Sequence, residues 1–159
     1  MTDTKKTPAK RAAATGPAGN VWSDEERAAM QESARERRAA AKRSPAEERA
    51  AGEREVLAKI AAMPQPDRAL AERIHEIATE SRPDLMPRTY YGMPAYAKDG
   101  KTICFFKPAF KFKDRYATLG FETRATLDDG EMWPVAFAVT KLTPAVEKTI
   151  AQLVKKAAG

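Results

Sequence analysis

Apolar residues along this chain follow two different periods, and the change of period marks out the elements. Val56, Leu57, Ile60 and Met63 are spaced three and four apart, as are Leu70, Ile74, Ile77 and Ala78, and Val146, Ile150 and Val154 lie four apart. Each set makes one stripe on a helix. Start signals sit ahead of these stripes. Ser23-Asp24-Glu25-Glu26 and Ser44-Pro45-Ala46-Glu47 read as capping boxes, with proline at the first helical position of the second, and Thr143-Pro144-Ala145-Val146-Glu147 carries the same kind of signature. Helices are predicted from Ser23 to about Arg43, from Ser44 to about Met63, from a cap at Asp67 to the Arg82-Pro83 stop, and from Thr143 towards the C-terminus. The first of these offers mostly alanines, so it is expected to lie exposed and residues 1–43 to be dispensable for folding, whereas the second docks.

Between residues 88 and 139 the period shortens. Asp99-Gly100, flanked by runs rich in Tyr, Ile and Phe, predicts a two-residue hairpin, because Asp and Gly tolerate the positive φ of a primed turn. Strands are expected near 88–91, 94–98, 101–107, 115–121 and 135–139, with another turn at Asp128-Asp129-Gly130. The fold class is therefore α+β: a small antiparallel sheet of about five strands packed by helices. Residues 64–159 would form that domain and residues 21–63 a helical extension able to carry a protein partner. Residues 1–20, without apolar periodicity, would be a disordered basic arm.

Composition narrows the class. The net charge of +6 is spread out, with +2 on residues 1–53 and +4 on residues 54–159. Neither part is a strongly basic block, so attraction to phosphates is allowed but not demanded. One cysteine, Cys104, excludes an internal disulfide and a cysteine-cluster metal site, and reads as a small core residue. No run approaches the roughly 18 apolar residues of a membrane span. A soluble, cytoplasmic protein with no membrane association is expected.

Chemistry-bearing patterns are sparse. His75 is the single histidine, so a His cluster for zinc is excluded, as are dinucleotide and P-loop motifs. Glu72-x-x-His75 has the spacing that puts two ligands on one helix face, and Glu76 extends it; these three are one candidate metal set. Their alternative reading is an ordinary solvated face, with Thr79, turned away from the Leu70/Ile74/Ile77 stripe. Asp128, Asp129 and Glu131 form a second acidic candidate, or plain turn chemistry. Aromatic and basic residues interleave in Phe105-Phe106-Lys107 and Phe110-Lys111-Phe112-Lys113-Asp114-Arg115-Tyr116. Lys107, Lys111, Lys113 and Arg115 beside stacking rings would suit weak nucleic-acid binding. The same alternation fits a strand with Phe110 and Phe112 on one buried face. An Arg35/Arg37/Arg38/Lys42/Arg43 helix could act with them and the basic arm.

Gly92-Met93-Pro94-Ala95-Tyr96, Lys98-Asp99-Gly100-Lys101, Cys104-Phe105-Phe106, Tyr116 to Phe121 and Trp133-Pro134 together resemble the YdhG-like family of small bacterial domains of unknown function, from about Pro66 to the C-terminus. Some members of that family are described as frataxin-like iron chaperones. The resemblance implies a non-enzymatic binding module that handles weakly bound iron, with Glu72/His75/Glu76 or the 128–131 turn as hard ligands. It also implies that the Gly-Met-Pro turn and the Trp133-Pro134 step work together, so that Tyr91, Met93, Tyr96 and Trp133 could line a ligand pocket. The alternative function is a nucleic-acid or ribosome-associated protein.

Overall fold

The computed structural model describes residues 22–159, and the expected arm at 1–20 lies outside them. Five helices and five strands follow in the order α1 (Asp24–Ala40), α2 (Pro45–Ala61), α3 (Asp67–Ser81), β1 (Met86–Tyr90), β2 (Met93–Lys98), β3 (Lys101–Lys107), α4 (Ala109–Phe112), β4 (Ala117–Phe121), β5 (Ala136–Val139) and α5 (Pro144–Ala157). The strands form one antiparallel sheet in sequence order, β1-β2-β3-β4-β5. The fold is α+β. No described helix is long and apolar enough to cross a membrane.

Both capping boxes form. Ser23 and Ser44 accept from the amides of Glu26 and Glu47, whose carboxylates accept from the serine amides in return, and Thr143 caps α5. These caps satisfy first-turn donors that would otherwise lack partners, which is why the three helices begin where the sequence says. Asp67 does not cap α3. Pro66 takes that position without a side-chain bond, and Asp67 is buried with Oδ2 accepting from the Phe110 amide at 2.9 Å. Its carboxylate thus ties α3 to α4.

Two hairpins are made by primed turns. Asp99-Gly100 has φ of 50° and 75° as expected, and Tyr91-Gly92 repeats the geometry at 51° and 73°. The strands β1 and β2 therefore meet across a tight two-residue turn. A tyrosine at positive φ is uncommon, and the neighbouring contacts that hold it are described below.

Register sorts the sheet into two faces. Tyr96 pairs with Cys104 and Cys104 with Phe121, while Phe106 pairs with Leu119 and Leu119 with Phe137, so all of these share one face. That face meets Val56 and Ile60 of α2, Met63 just after it, Leu70, Ile74 and Ile77 of α3, and Ile150 and Val154 of α5 in a single core. The helices of residues 45–63 thus belong to the same core as residues 64–159. On the other face Phe105, half-buried, lies over Gly120 and 5.8 Å from the Tyr90 ring. Cys104 is fully buried and its thiol is pushed up to about 12 by burial, as a core residue's would be.

The Phe-Lys segment is not a strand. Pro108 supplies no amide and caps a single helical turn, α4, which ends with Lys113 in the left-handed region at φ 55°. Two residues apart on a helix point to nearly opposite sides, so Phe110 and Phe112 do not share a face. Phe110 is 46 % exposed.

Candidate functional site

The first helix departs most from expectation, because it docks. Only Ala29 and Ser33 of α1 are fully buried, which is too little apolar surface to hold a helix down. Carboxylates supply the rest. Glu32 is bonded to Lys59 of α2 and, at 3.0 Å, to Lys111 of α4, and Glu25 pairs with Lys113. Glu36 Oε1 accepts from the Gly92 amide at 2.8 Å. Lys111 Nζ also donates to the Tyr91 carbonyl at 3.1 Å, so one lysine and two glutamates clamp the Tyr91-Gly92 turn. Gly92 is required twice over: its φ is positive, and a β-carbon there would fall on the Glu32 carboxylate and the Lys111 ammonium. Residues 24–40 are accordingly docked, and Glu32 serves as the carboxylate partner of both Lys59 and Lys111. Trp22, at 52 % exposure, contributes little to this docking.

Turning Glu25, Glu32 and Glu36 inward leaves the C-terminal half of the helix basic on its outer side, while Asp24 and Glu26 stay exposed at its start. At about 100° per residue, Glu25, Ala29, Glu32, Ser33 and Glu36 share the docked side of α1; Arg38 lies opposite them, Arg35 and Arg37 lie on the two flanks, Arg35 lining the groove against α2 with Glu32 and Glu36, and Lys42 follows just past the helix end. All four cations are exposed. Arg43, by contrast, pairs with Glu55 at 2.8 Å. Among the described residues none of Arg35, Arg37, Arg38 or Lys42 has a carboxylate within ion-pair distance. The separation of charge across one helix is what the residue-by-residue tally of +2 for this region conceals.

The two docking carboxylates respond oppositely to their surroundings. Burial raises the Glu36 carboxyl above its ordinary value, beyond what the Gly92 and Thr89 hydrogen bonds recover. For Glu32, burial also pulls upward, but the bonds from Lys59 and Lys111 outweigh it and the carboxyl is lowered. Glu32 therefore contributes stability above the ordinary carboxylate range that is lost as pH falls. Glu36, raised, does the reverse: its contribution is present below that range and is lost as pH rises through its own value. Glu32→Gln should cost about 1 kcal/mol at pH 7, since the partners are partly solvated. Glu36→Gln keeps an acceptor oxygen and should be neutral to stabilising at pH 7, with the gain shrinking on acidification. Urea denaturation of both variants at pH 7 and near pH 4 checks the opposed signs.

The other predicted site residues are scattered. His75 is not on a solvated face: it is buried, with Nδ1 2.9 Å from the Tyr96 hydroxyl and Nε2 2.9 Å from Glu53 Oε1. Glu72 and Glu76 are exposed, and Glu76 bonds Arg73 at 2.7 Å. Thr79 bonds back to the His75 carbonyl of its own helix. Both ring nitrogens of His75 are thus engaged away from Glu72 and Glu76, and the structure does not bring the three together. Asp128, Asp129 and Glu131 are all exposed. Among the described residues no three His, Cys, Asp or Glu side chains are gathered as a metal ion would require.

The proposed pocket does not assemble either. Met93 and Tyr96 are three apart on β2 and face opposite sides of the sheet; Tyr91 sits in the turn, and Trp133 packs partly buried against the core. Of the Phe-Lys cations, Lys107 pairs with Asp114 at 2.9 Å, Lys111 with Glu32 and Lys113 with Glu25, while Arg115 stacks 5.1 Å over the Tyr116 ring. Three of the four are neutralised within the fold.

No family model, curated protein or solved structure matches this chain. On its own surface, Arg35, Arg37, Arg38 and Lys42 form a group of exposed cations at the C-terminal end of α1.

Proposed function

We propose that this protein is a non-enzymatic binding module that engages nucleic-acid phosphates through the outer face of α1. The observation that carries the reading is the segregation of charge across that helix. Glu25, Glu32 and Glu36 are consumed in docking, which leaves Arg35, Arg37, Arg38 and Lys42 to act together. Arg35 to Lys42 spans about 10 Å along the axis. At roughly 3.4 Å of rise per nucleotide that length faces about three phosphates. Guanidinium forks suit phosphate oxygens, and a docked helix presents them without a backbone ordering cost.

The rival readings draw less from the fold. The Phe-Lys segment has its lysines paired internally, so it is not the contact. A histidine with both nitrogens engaged and a fully buried cysteine offer no accessible general base or nucleophile, which supports the non-enzymatic reading. The iron-handling role implied by the YdhG-like resemblance finds no gathered ligand set among the described residues.

The test is fluorescence anisotropy of a labelled RNA oligonucleotide at low salt. Arg35→Ala, Arg38→Ala and Lys42→Ala combined should weaken binding by more than about tenfold without changing the fold, because exposed helix positions tolerate alanine. Lys107→Ala should leave binding intact. Binding to anionic vesicles with none to RNA or DNA, or unchanged RNA affinity in the triple variant, refutes the proposal.

A further inference from the structure

The last strand leaves its outer edge bare. Sheet order places β5 at one margin, and among the described residues no strand lies beyond it. An unpaired edge exposes a row of amides and carbonyls, and proteins usually guard such edges with lysine, proline or a covering element. The opposite margin follows this rule: β1 carries Pro87 and Arg88, and α2 packs along it. The β5 margin does not. From Met132 to Thr140 there is no charged residue, Met132 is 89 % and Val135 48 % exposed, and Ala136 and Ala138 are exposed too. Pro134 stands before the strand and guards only its start.

Beside that edge runs an apolar groove of about 240 Å³, between β5 and α5, lined by Phe137, Val139, Val146, Ile150 and Leu153 among others. Val146, Phe137 and Leu153 are only partly buried. The helix thus has one broad apolar stripe: Ile150 and Val154 are spent on the core, and the Val146/Leu153 margin is only partly buried, with nothing over it among the described residues.

Charge identifies the occupant. Asp128, Asp129 and Glu131 precede the bare stretch, and Lys141 and Lys148 follow it, all exposed. Two copies pairing antiparallel about the middle of β5 bring the segment before the strand of one beside the segment after the strand of the other. The acidic turn of each copy then meets the lysines of its partner, twice over, as an isologous contact requires. We infer that the β5 edge and the α5 groove are the interface of a symmetric homodimer, in which two five-stranded sheets join into one and the two α5 helices cover each other's grooves. This surface is separate from the outer face of α1 and does not depend on the function proposed for it.

Sedimentation velocity on the full chain tests the inference. A dimer mass is expected by about 100 µM protein, weakening with added salt. A two-fold axis through β5 sets the Ala138 positions of the two copies close together. Ala138→Lys would oppose like charges across the new strand pair and should raise the dissociation constant by more than about tenfold, while the exposed position leaves the monomer's thermal unfolding unchanged. Glu131→Lys should weaken the dimer, and adding Lys141→Glu to it should restore most of the affinity. A monomer at all concentrations to about 1 mM overturns the interface, whatever else then fills the groove. So does a dimer indifferent to Ala138→Lys and to the charge exchange.

Discussion

Gly52→Ala should destabilise the protein, although the same change in a helix interior ordinarily gains about 1 kcal/mol. Gly52 is buried in α2 where that helix lies closest to β1, and a β-carbon there would fall on the carbonyl oxygen and carbon of Pro87. Both sides of the clash are backbone, so neither can swing away as a side chain would. Relief requires moving α2 off the sheet, and with it Val56 and Ile60, which are nearly or fully inaccessible to solvent. Overpacking of this kind costs about 1–3 kcal/mol and sometimes more. The transition temperature should fall by roughly 2–4 °C for each kcal/mol lost. A stabilised Gly52→Ala variant would mean that α2 does not sit against β1 in this way.

A second large effect is expected from the buried pair of His75 and Tyr96. Burial pushes the Tyr96 hydroxyl far above its ordinary value, with Cys104 and Glu53 adding to it, so the group stays protonated and acts as a donor. The Glu53 carboxylate can only accept, so Nε2 is the donor to it, and Nδ1 is left facing the Tyr96 hydroxyl as its acceptor. His75→Ala strands the hydroxyl in a fully buried position, and Tyr96→Phe strands Nδ1. Each orphaned group costs about 1–3 kcal/mol, and His75→Ala adds a cavity. Because each substitution removes the partner that the other leaves wanting, the double variant should cost less than the sum, with a coupling of about 0.5–3 kcal/mol. Additivity within about 0.5 kcal/mol in chemical denaturation would show that the pair is not coupled.

Local signals carried the elements, and contacts distant in sequence decided the sites. Ser23, Ser44 and Thr143 announce their helices because a cap depends on residues three apart. Asp99-Gly100 announces its hairpin for the same reason. The Tyr91-Gly92 turn is less legible, since tyrosine at positive φ contradicts its own propensity and is held there by Lys111 and Glu36 from other elements. Phe110 to Lys113 reads as a strand by alternation alone; Pro108 is the local clue to a helical turn, and the Asp67 bond to the Phe110 amide is the contact that no spacing reveals. His75 misleads in the same way. Its position between Glu72 and Glu76 suggests a polar face, yet it lies beside the Ile74 stripe and turns inward because Glu53 and Tyr96, more than 20 residues away on either side, satisfy both nitrogens. The α1 surface was half visible. Its basic residues stand in the sequence, but only the docking of Glu32 and Glu36 shows that the intervening acids face the other way.

That surface is tested most directly by the salt dependence of RNA binding. With Arg35, Arg38 and Lys42 each engaging one phosphate of a single strand, a plot of log affinity against log salt concentration should have a slope of about −2.1. In the Arg35→Ala, Arg38→Ala, Lys42→Ala variant the slope should collapse towards zero along with the affinity. A slope that the triple variant leaves unchanged, or no binding at low salt by the folded full chain, would contradict a phosphate-binding role for α1.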